Sequence, residues 1–261
     1  MDLVISSPEN STFKALKKTA VAAVLKKKSR TIVAGEKLVS DAVRECPEQC
    51  LRLVISAGFD KASELVHSFA QRKALVVLKK TLFNELDIFG TGFALLEFAV
   101  PQIPPWDGNI SGCTLAVPFQ DPINVGSVIR SAVAFGVSSI ILLREAAHPF
   151  HPKSIRASAG AVFTARFFKG PALPELVPSL SQPAPPVVGL DMRGQPLQDF
   201  IFPASFLLVP GSEGQGLPHN LHCKRIAIPM TPRVESLNAA TATAIALFYW
   251  SMSLKKNNLS L

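Results

Sequence analysis

The sequence has few cysteines, no long apolar run and no recognisable export signal. Four cysteines in 261 residues are too few for a disulfide framework, so we expect reduced thiols. No apolar stretch approaches the roughly 18 residues that a membrane-spanning helix needs. The start of the chain lacks a positively charged segment followed by an apolar one. These absences exclude a disulfide-stapled secreted domain and predict a soluble, cytoplasmic protein without a membrane partner.

The sequence also lacks a recognisable metal site. Cys46 and Cys50 are four residues apart, but no second Cys or His pair of suitable spacing lies nearby. The two close histidine pairs lie beside prolines and have no accompanying carboxylate. We therefore expect no bound metal, and ordinary packing or surface roles for these side chains.

What the sequence has in excess is positive charge. Its net charge of +8 at pH 7 favours an anionic partner, because clustered Lys and Arg release counterions from phosphates. Nucleic acid is the leading candidate. The first thirty residues hold seven candidate RNA-binding side chains: Lys14, Lys17, Lys18, Lys26, Lys27, Lys28 and Arg30. A charge run of this kind is also typical of a solvated helix face, so both interpretations stay open.

Apolar periodicity predicts two α/β domains. In the first, helical patterns alternate with short apolar runs. Helices are predicted over 9–28, 36–45 and 61–71, and strands over 31–34, 51–56, 74–78 and 93–100. Residues 101–109 contain three prolines and a glycine, which resist regular structure. We place the boundary there, with domains at 1–105 and 110–261.

The second domain has more continuous apolar strands. Strands are predicted over 113–117, 139–143, 162–168, 187–191 and 206–209, with helices over 124–135 and 153–161. Continuous apolar strands that alternate with helices are typical of a parallel sheet covered on both faces. The predicted fold class is therefore α/β, with a parallel sheet in this larger domain and a smaller α/β domain before it.

Three polar or glycine-rich loops in the second domain each follow an apolar strand. They span 119–130, 211–217 and 229–238. Because ligands collect at the carboxyl ends of strands in open α/β sheets, these loops are candidates to converge on one pocket. The middle loop has three glycines in six residues, but not the spacing of a P-loop or of a dinucleotide-binding turn. Its glycine content alone fits an ordinary tight turn equally well.

The three loops together carry a specific pattern. The first motif reads Asp-Pro-Ile-Asn124-Val-Gly-Ser-Val-Ile-Arg130 and is followed by Ala-Phe-Gly. The second begins at Gly211 as Gly-Ser-Glu-Gly-Gln-Gly, and the third begins at Ile228 as Ile-Pro-Met-Thr-Pro-Arg-Val-Glu-Ser-Leu-Asn. In order and spacing they resemble the SpoU, or TrmH, family of RNA ribose 2′-O-methyltransferases in the SPOUT superfamily. The segment Arg156-Ala-Ser-Ala-Gly-Ala is similar to one that the family carries between its first two motifs.

This resemblance implies a fold, a cofactor and partners. It implies a C-terminal domain with a deep trefoil knot, S-adenosylmethionine bound in the knot, a homodimer that completes the active site, and no metal. Residues 30–39 are similar to the opening of the L30e-like RNA-binding domain of rRNA-directed members, which implies ribosomal RNA as the substrate. The matching positions give a cofactor set of Gly211, Glu213, Gly216, Ile228, Met230, Ser236 and Leu237, and a catalytic set of Asn124, Arg130, Glu213, Ser236 and Asn238.

These residues have expected roles and ordinary alternatives. We expect Arg130, as a semi-buried arginine on an apolar helix, to hold the phosphate next to the target ribose and to favour the developing alkoxide. Ser236 and Asn238 would orient the cofactor and that arginine. As alternatives, Asn124 shapes the start of a helix and Asn238 caps the last one.

The overall activity has alternatives as well. A tRNA 2′-O-methyltransferase is the nearest. A catalytically inactive RNA-binding protein of ribosome assembly is a second, against which the intact motifs weigh. A small-molecule methyltransferase is the poorest, because it leaves the basic N-terminal segment unexplained.

Overall fold

A computed structural model describes residues 4–20, 29–60, 62–180, 184–214, 216–219, 221–231 and 233–256. Contacts divide the chain into two compact units, one of residues 1–102 with 150–163 and one of residues 103–149 with 164–261. Within the described residues, no helix combines the length and the apolar character needed to cross a membrane.

In chain order, the strands of the described residues are β1 Val4–Ile5, β2 Arg30–Ala34, β3 Cys50–Ser56, β4 Leu75–Leu78, β5 Leu95–Ala99, β6 Cys113–Val117, β7 Ser139–Leu142, β8 Phe167–Lys169, β9 Val187–Pro196, β10 Phe206–Pro210 and β11 Lys224–Ala227. The helices are α1 Ser11–Ala20, α2 Glu36–Glu45, α3 Glu64–Gln71, α4 Lys80–Leu86, α5 Pro122–Ala134, α6 Pro152–Ser158 and α7 Ala239–Lys256.

Most predicted elements are confirmed with small shifts at their ends, and the differences have local causes. The predicted helix over 9–28 is helical from Ser11 to Ala20, and residues 21–28 lie outside the described residues. The helix predicted over 153–161 ends early because Ala159 and Gly160 take positive φ angles of 50° and 94°. The strand predicted from residue 162 is wrong at its start, where Ala161–Phe163 forms a 3₁₀ turn. The sequence reading also missed α4.

The first unit is built on a mixed five-stranded sheet in the order β1-β4-β3-β5-β2. β4 runs parallel to β1 and β3, whereas β5 runs antiparallel to β3 and β2. α1 packs on this sheet through Phe13 and Leu16, which are fully buried beside Phe83 of α4. Their spacing in α1 is the apolar stripe that the sequence predicted.

Residues 150–163, which include α6, belong to the first unit rather than to the second. The ring of Phe98 in β5 lies 5.8 Å from that of Phe150 and 5.5 Å from that of Phe163. In addition, Lys37 of α2 donates a hydrogen bond to the carbonyl of Ala159 (3.2 Å). The predicted division assigned this segment to the second domain, because chain order carries no information on such long-range aromatic packing.

The second unit contains a parallel six-stranded sheet in the order β11-β9-β10-β6-β7-β8. β6 and β10 are buried along their whole length, which confirms the prediction of continuous apolar strands in a parallel sheet. Because all six strands point the same way, the segments that follow β6, β10 and β11 leave the sheet at one edge. This edge collects the three loops singled out in the sequence.

Candidate active site

Asn124 joins the first loop to the other two. It lies in the first turn of α5, which Asp121 caps by accepting a hydrogen bond from the backbone N–H of Ile123 (2.9 Å). The Asn124 amide nitrogen donates to Glu213 Oε1 (2.5 Å), and its carbonyl oxygen accepts from Asn238 Nδ2 (3.1 Å). The structure thus brings three of the five predicted catalytic residues into one hydrogen-bonded cluster.

Asn238 has two structural tasks at once. Its side-chain oxygen accepts from the backbone N–H of Thr241 (3.1 Å), and its own carbonyl accepts from the N–H of Ala242 (2.9 Å). These bonds make it the N-cap of α7. Its amide nitrogen remains available to donate to Asn124. Asn238 therefore both caps α7 and belongs to the cluster. The cap fixes the amide in the orientation that reaches the cluster.

The glycine loop is a tight turn that crosses its own backbone closely. Ser212 and Gly216 exchange two backbone hydrogen bonds of 3.0 Å each, and Gly214 takes a φ of 81°. A Cβ added at Gly211 would lie 2.7 Å from the carbonyl carbon of Gly216, so no other residue fits there without movement. This turn holds the exposed Glu213 next to Asn124.

Within a single copy of the chain, Arg130 does not belong to the cluster of Asn124, Glu213 and Asn238. It follows Asn124 by six residues, which places the two side chains about 120° apart around α5. Arg130 is exposed, and among the described residues it has no hydrogen bond or ion pair. The prediction of a semi-buried arginine is therefore wrong: Val128 and Ile129 take the buried positions of this turn, and Arg130 points to solvent.

A cavity of about 380 Å³ lies beside the third loop. Ile228 and Met230, both predicted as cofactor residues, line it. The other lining residues were not in the predicted cofactor set: Pro229, Thr231, Val234 and Glu235 lie in the predicted third loop, and Met192, Gly194, Pro196 and Ala227 lie outside the three loops. Ser236 and Leu237 follow directly in the chain but do not line the cavity; Ser236 is exposed and Leu237 is half-buried. The same loop therefore begins in the cavity wall and ends in the Asn124 cluster.

An ion pair links the two strands that carry the cavity walls. Asp191 of β9 accepts hydrogen bonds from Arg225 of β11 and from the backbone N–H of Arg193 (3.0 Å). Burial alone raises the pKa of Asp191, but the bonds from Arg193 and Arg225 outweigh it and lower that pKa to about 2. Asp191 is therefore ionised at neutral pH.

Residues 114–248 match the family described as the SpoU rRNA methylase family, and this range is about half of the chain. The chain belongs to the SpoU rRNA methylase family. The resemblance seen in the sequence motifs is thereby confirmed. The matched range contains the whole cluster of Asn124, Glu213 and Asn238 and every residue that lines the cavity.

Two methyltransferases are similar to this chain in sequence. A ribosomal RNA small subunit methyltransferase G 2 of Syntrophobacter fumaroxidans is 42% identical over 252 residues, which are 95% of this chain and 49% of that protein. The 23S rRNA (guanosine(2553)-2′-O)-methyltransferase RlmP of Bacillus subtilis is 33% identical over 134 residues, which are 50% of this chain and 54% of that protein. The chain thus spans about half the length of both relatives.

A solved structure supports the fold over 97% of the chain. An AdoMet-bound rRNA methyltransferase from Sinorhizobium meliloti matches with a TM-score of 0.81 and 23% identity, over 97% of this chain and 98% of that one. At this identity the likeness establishes the fold alone. It covers both units, including residues 1–102 of the first unit, which lie outside the SpoU match.

The predicted RNA-binding lysines lie outside the SpoU match, in the first unit. Lys14, Lys17 and Lys18 are all exposed. Lys14 pairs with Glu9, and the amino group of Lys17 lies 2.7 Å from the carboxylate of Glu85. Arg30 donates to the fully buried Glu97 (3.1 Å), which also binds Arg52 (2.6 Å). The remaining predicted residues, Lys26, Lys27 and Lys28, lie outside the described residues.

The cysteines and histidines do not gather around a candidate metal centre. Across the described residues, no group of three or more His, Cys, Asp or Glu side chains is placed to hold a metal ion. Cys46 Sγ instead donates to the carbonyl of Phe163 (3.5 Å), and Cys50 Sγ donates to the carbonyl of Cys46 (3.3 Å). Burial raises the pKa of the Cys50 thiol to about 11, which keeps it protonated.

Proposed function

We propose that this chain transfers a methyl group from S-adenosylmethionine to a ribose 2′-hydroxyl of RNA, and that ribosomal RNA is its substrate. The observation that carries this proposal is the cluster of Asn124, Glu213 and Asn238, which ties three loops together beside an apolar cavity within the SpoU match. The printed names of the relatives, an rRNA 2′-O-methyltransferase among them, support the same reaction and the same substrate class.

The cavity fits S-adenosylmethionine in size and chemistry. Its volume lies within the roughly 300–1,000 Å³ of small-molecule sites. Met192, Ile228, Met230 and Val234 offer apolar surface to an adenine ring, and Glu235 places a carboxylate where a cationic ligand is favoured. When bound, S-adenosylmethionine supplies an electrophilic sulfonium methyl group.

The chain itself contributes alignment and charge. The cap of α7 and the turn at Ser212–Gly216 hold Asn238 and Glu213 in fixed places, so the loops need little reorganisation when a ligand binds. Arg130 is exposed and has no partner among the described residues, which leaves its guanidinium available for an RNA phosphate. Next to that phosphate, the guanidinium would stabilise the negative charge that develops on the 2′-oxygen, because an arginine stays positively charged in proteins.

We also propose that two copies of the chain form a homodimer. α5 and α7 contact each other, and several of their large apolar side chains face outward: Ile123 is 50% exposed, Val133 39% and Phe248 51%. Exposed apolar clusters of this kind mark interaction surfaces. Arg130 follows Ile123 by seven residues and so lies on the same side of α5. A second copy seated on this face would border Arg130 and complete the site.

The deep knot remains part of the proposal. One close backbone approach supports it: a Cβ added at Gly194 of β9 would lie 2.5 Å from the carbonyl carbon of Arg225 in β11. Such an approach is expected where one segment passes tightly against another.

The first unit is proposed to bind the RNA, as its similarity to an L30e-like domain implies. The pairs Lys14–Glu9 and Lys17–Glu85 are exposed and therefore weak, so phosphates can replace their acidic partners. Since the substrate is ribosomal RNA, we expect the protein to act in the cytoplasm.

Incubation of the purified protein with isotope-labelled S-adenosylmethionine and separate pools of ribosomal and transfer RNA tests the proposal. Label is expected in ribosomal RNA only. Arg130→Ala should bind the cofactor normally but lose methyl transfer, whereas Arg144→Ala, an exposed arginine paired with Glu175, should retain it. Label in transfer RNA alone would favour the tRNA enzyme. Cofactor binding without transfer to either pool would favour the inactive RNA-binding protein.

A further inference from the structure

The second half of β9 pairs irregularly with β11. Arg225 lies opposite Gly189, but the next residue, Ile226, lies opposite Gln195. Residues 190–194 of β9 therefore have no partner in β11, and we name them the β9 bulge. A bulge of this kind re-aims side chains and is often found next to active sites.

The β9 bulge is fixed at two points. Asp191, whose side chain is only 10% exposed, accepts hydrogen bonds from Arg225 Nη1, from Arg193 Nε (3.3 Å) and from the Arg193 backbone. At the other end, a Cβ added at Gly194 would lie 2.5 Å from Arg225 C and Ile226 N, so only glycine permits this approach. The bulge is thus held against β11 by a side chain and by backbone contact.

Between these two points, Met192 lines the cavity. The residue is 62% exposed and, with Val234, is one of the exposed apolar residues that line the cavity, so it has surface available for a ligand. Ala227, the last residue of β11, and Ile228 and Met230, which follow it, line the cavity from the β11 side. The bond between Asp191 and Arg225 therefore connects the two walls. Arg225 Nη2 also donates to the carbonyl of Pro218 (3.2 Å), just beyond the glycine loop.

We propose that Asp191 and Arg225 are positioning residues for the cofactor, which hold the β9 bulge so that Met192 closes one side of the cavity. This inference rests on the proposed function, because it takes the cavity as the site of S-adenosylmethionine. Neither residue lines the cavity, so each acts through the bulge. A wall that is not held in place binds its ligand less tightly, since ordering it then costs binding free energy.

The proposal separates affinity from chemistry. Loss of the bond should loosen the wall and weaken cofactor binding, while the Asn124 cluster and Arg130 are left in place. An ion pair that only stabilised the fold would lower Tm and leave the cofactor Kd of the folded protein unchanged. The cofactor Kd is therefore the readout that distinguishes the two roles.

Asp191→Asn is the first test, because it keeps the size of the side chain and removes its charge. At a temperature at which circular dichroism shows every variant folded, we expect Kd and KM for S-adenosylmethionine to rise about tenfold, the effect of one lost charge-assisted hydrogen bond. kcat and KM for RNA should stay within twofold of wild type. The control is Glu175→Gln, which breaks the exposed pair with Arg144 in the same unit and should leave Kd unchanged.

Two variants at Met192 keep the test decisive if Asp191→Asn does not fold. Met192→Ser should raise the cofactor Kd with little change in Tm, and Met192→Leu should restore wild-type binding. If Asp191→Asn folds, combining it with Arg225→Gln should raise Kd no further than Arg225→Gln alone.

The outcomes separate this inference from the proposed function. If the wild-type protein does not bind S-adenosylmethionine in calorimetry, the proposed function fails. If it binds, and Asp191→Asn lowers Tm with Kd unchanged, or Met192→Ser binds like wild type, the positioning role is overturned.

Discussion

Replacing Asn124 by Asp tests whether the hydrogen-bonded cluster matters for activity. The substitution keeps the shape and the oxygen that accepts from Asn238, but it replaces the donor that faces Glu213 Oε1 at 2.5 Å by a carboxylate oxygen. A hydrogen bond to a charged group contributes about 1.5–3 kcal/mol, and the exposure of Glu213 puts this one at the lower end. Two carboxylates in contact, with charge centres about 4 Å apart, repel by about 1 kcal/mol in water-like surroundings.

Together these effects disfavour the closed cluster by roughly 2–3 kcal/mol, which corresponds to a loss of about 30- to 150-fold in kcat/KM at pH 8. The loss should shrink as the pH falls towards 5.5. Two facing carboxylates take up one proton more readily than one does, and the protonated oxygen then donates as the amide did.

The assay is methyl transfer to ribosomal RNA from pH 5.5 to 8.5, with each rate divided by that of wild type at the same pH. Asn124→Ala is the matched control, because it removes the same hydrogen bonds without adding a charge; its ratio should be low and independent of pH. If Asn124→Asp keeps the wild-type rate, or if its ratio does not rise at low pH, the role assigned to the cluster is wrong.

Three further predictions test other parts of the account. Asn238→Ala should lower Tm by about 3 °C through loss of the α7 cap, and it should also lower activity. Asn238→Asp keeps the capping oxygen but not the donor to Asn124, so it should restore Tm but not activity. Because the pKa of Asp191 falls from 3.8 to about 2 on folding, its stabilisation is complete above about pH 4 and is lost as the pH falls towards 2. By linkage, this stabilisation amounts to about 2 kcal/mol. Asp191→Asn should therefore lower the urea-derived free energy of unfolding at pH 7, and its effect should become smaller towards pH 2. An equal effect at both pH values would contradict this prediction. Phe248→Glu should convert a dimer into a monomer in analytical ultracentrifugation, while Lys153→Glu, an exposed change in α6, should not; a wild-type protein that is already monomeric would refute the proposed interface.

The parallel sheet could be predicted because its strands are buried on both faces and so leave continuous apolar runs, as in β6 and β10. The place of residues 150–163 could not, because the packing of Phe150 and Phe163 on Phe98 joins positions far apart in the chain. A helix stop at Ala159 was equally hidden, since alanine rarely takes a positive φ.

The residues of the site also fall into those that could be predicted from the sequence and those that could not. Asn124, Glu213 and Asn238 could be nominated because they stand at fixed places in motifs, and the structure joins them by direct hydrogen bonds. The wall formed by Met192 and Gly194 could not, because it depends on a shift of register between β9 and β11. The exposure of Arg130 was also missed, since an apolar helix does not reveal from its sequence which single position points outward.

The most direct measurement of the central claim is the position of the transferred methyl group. Ribosomal RNA labelled by the wild-type protein is hydrolysed with alkali, which cannot cleave the chain after a 2′-O-methylated ribose. The account predicts that the label is recovered in alkali-resistant dinucleotides, and that Arg130→Ala gives none. Label recovered in mononucleotides would place the methyl group on a base and would contradict the proposed reaction.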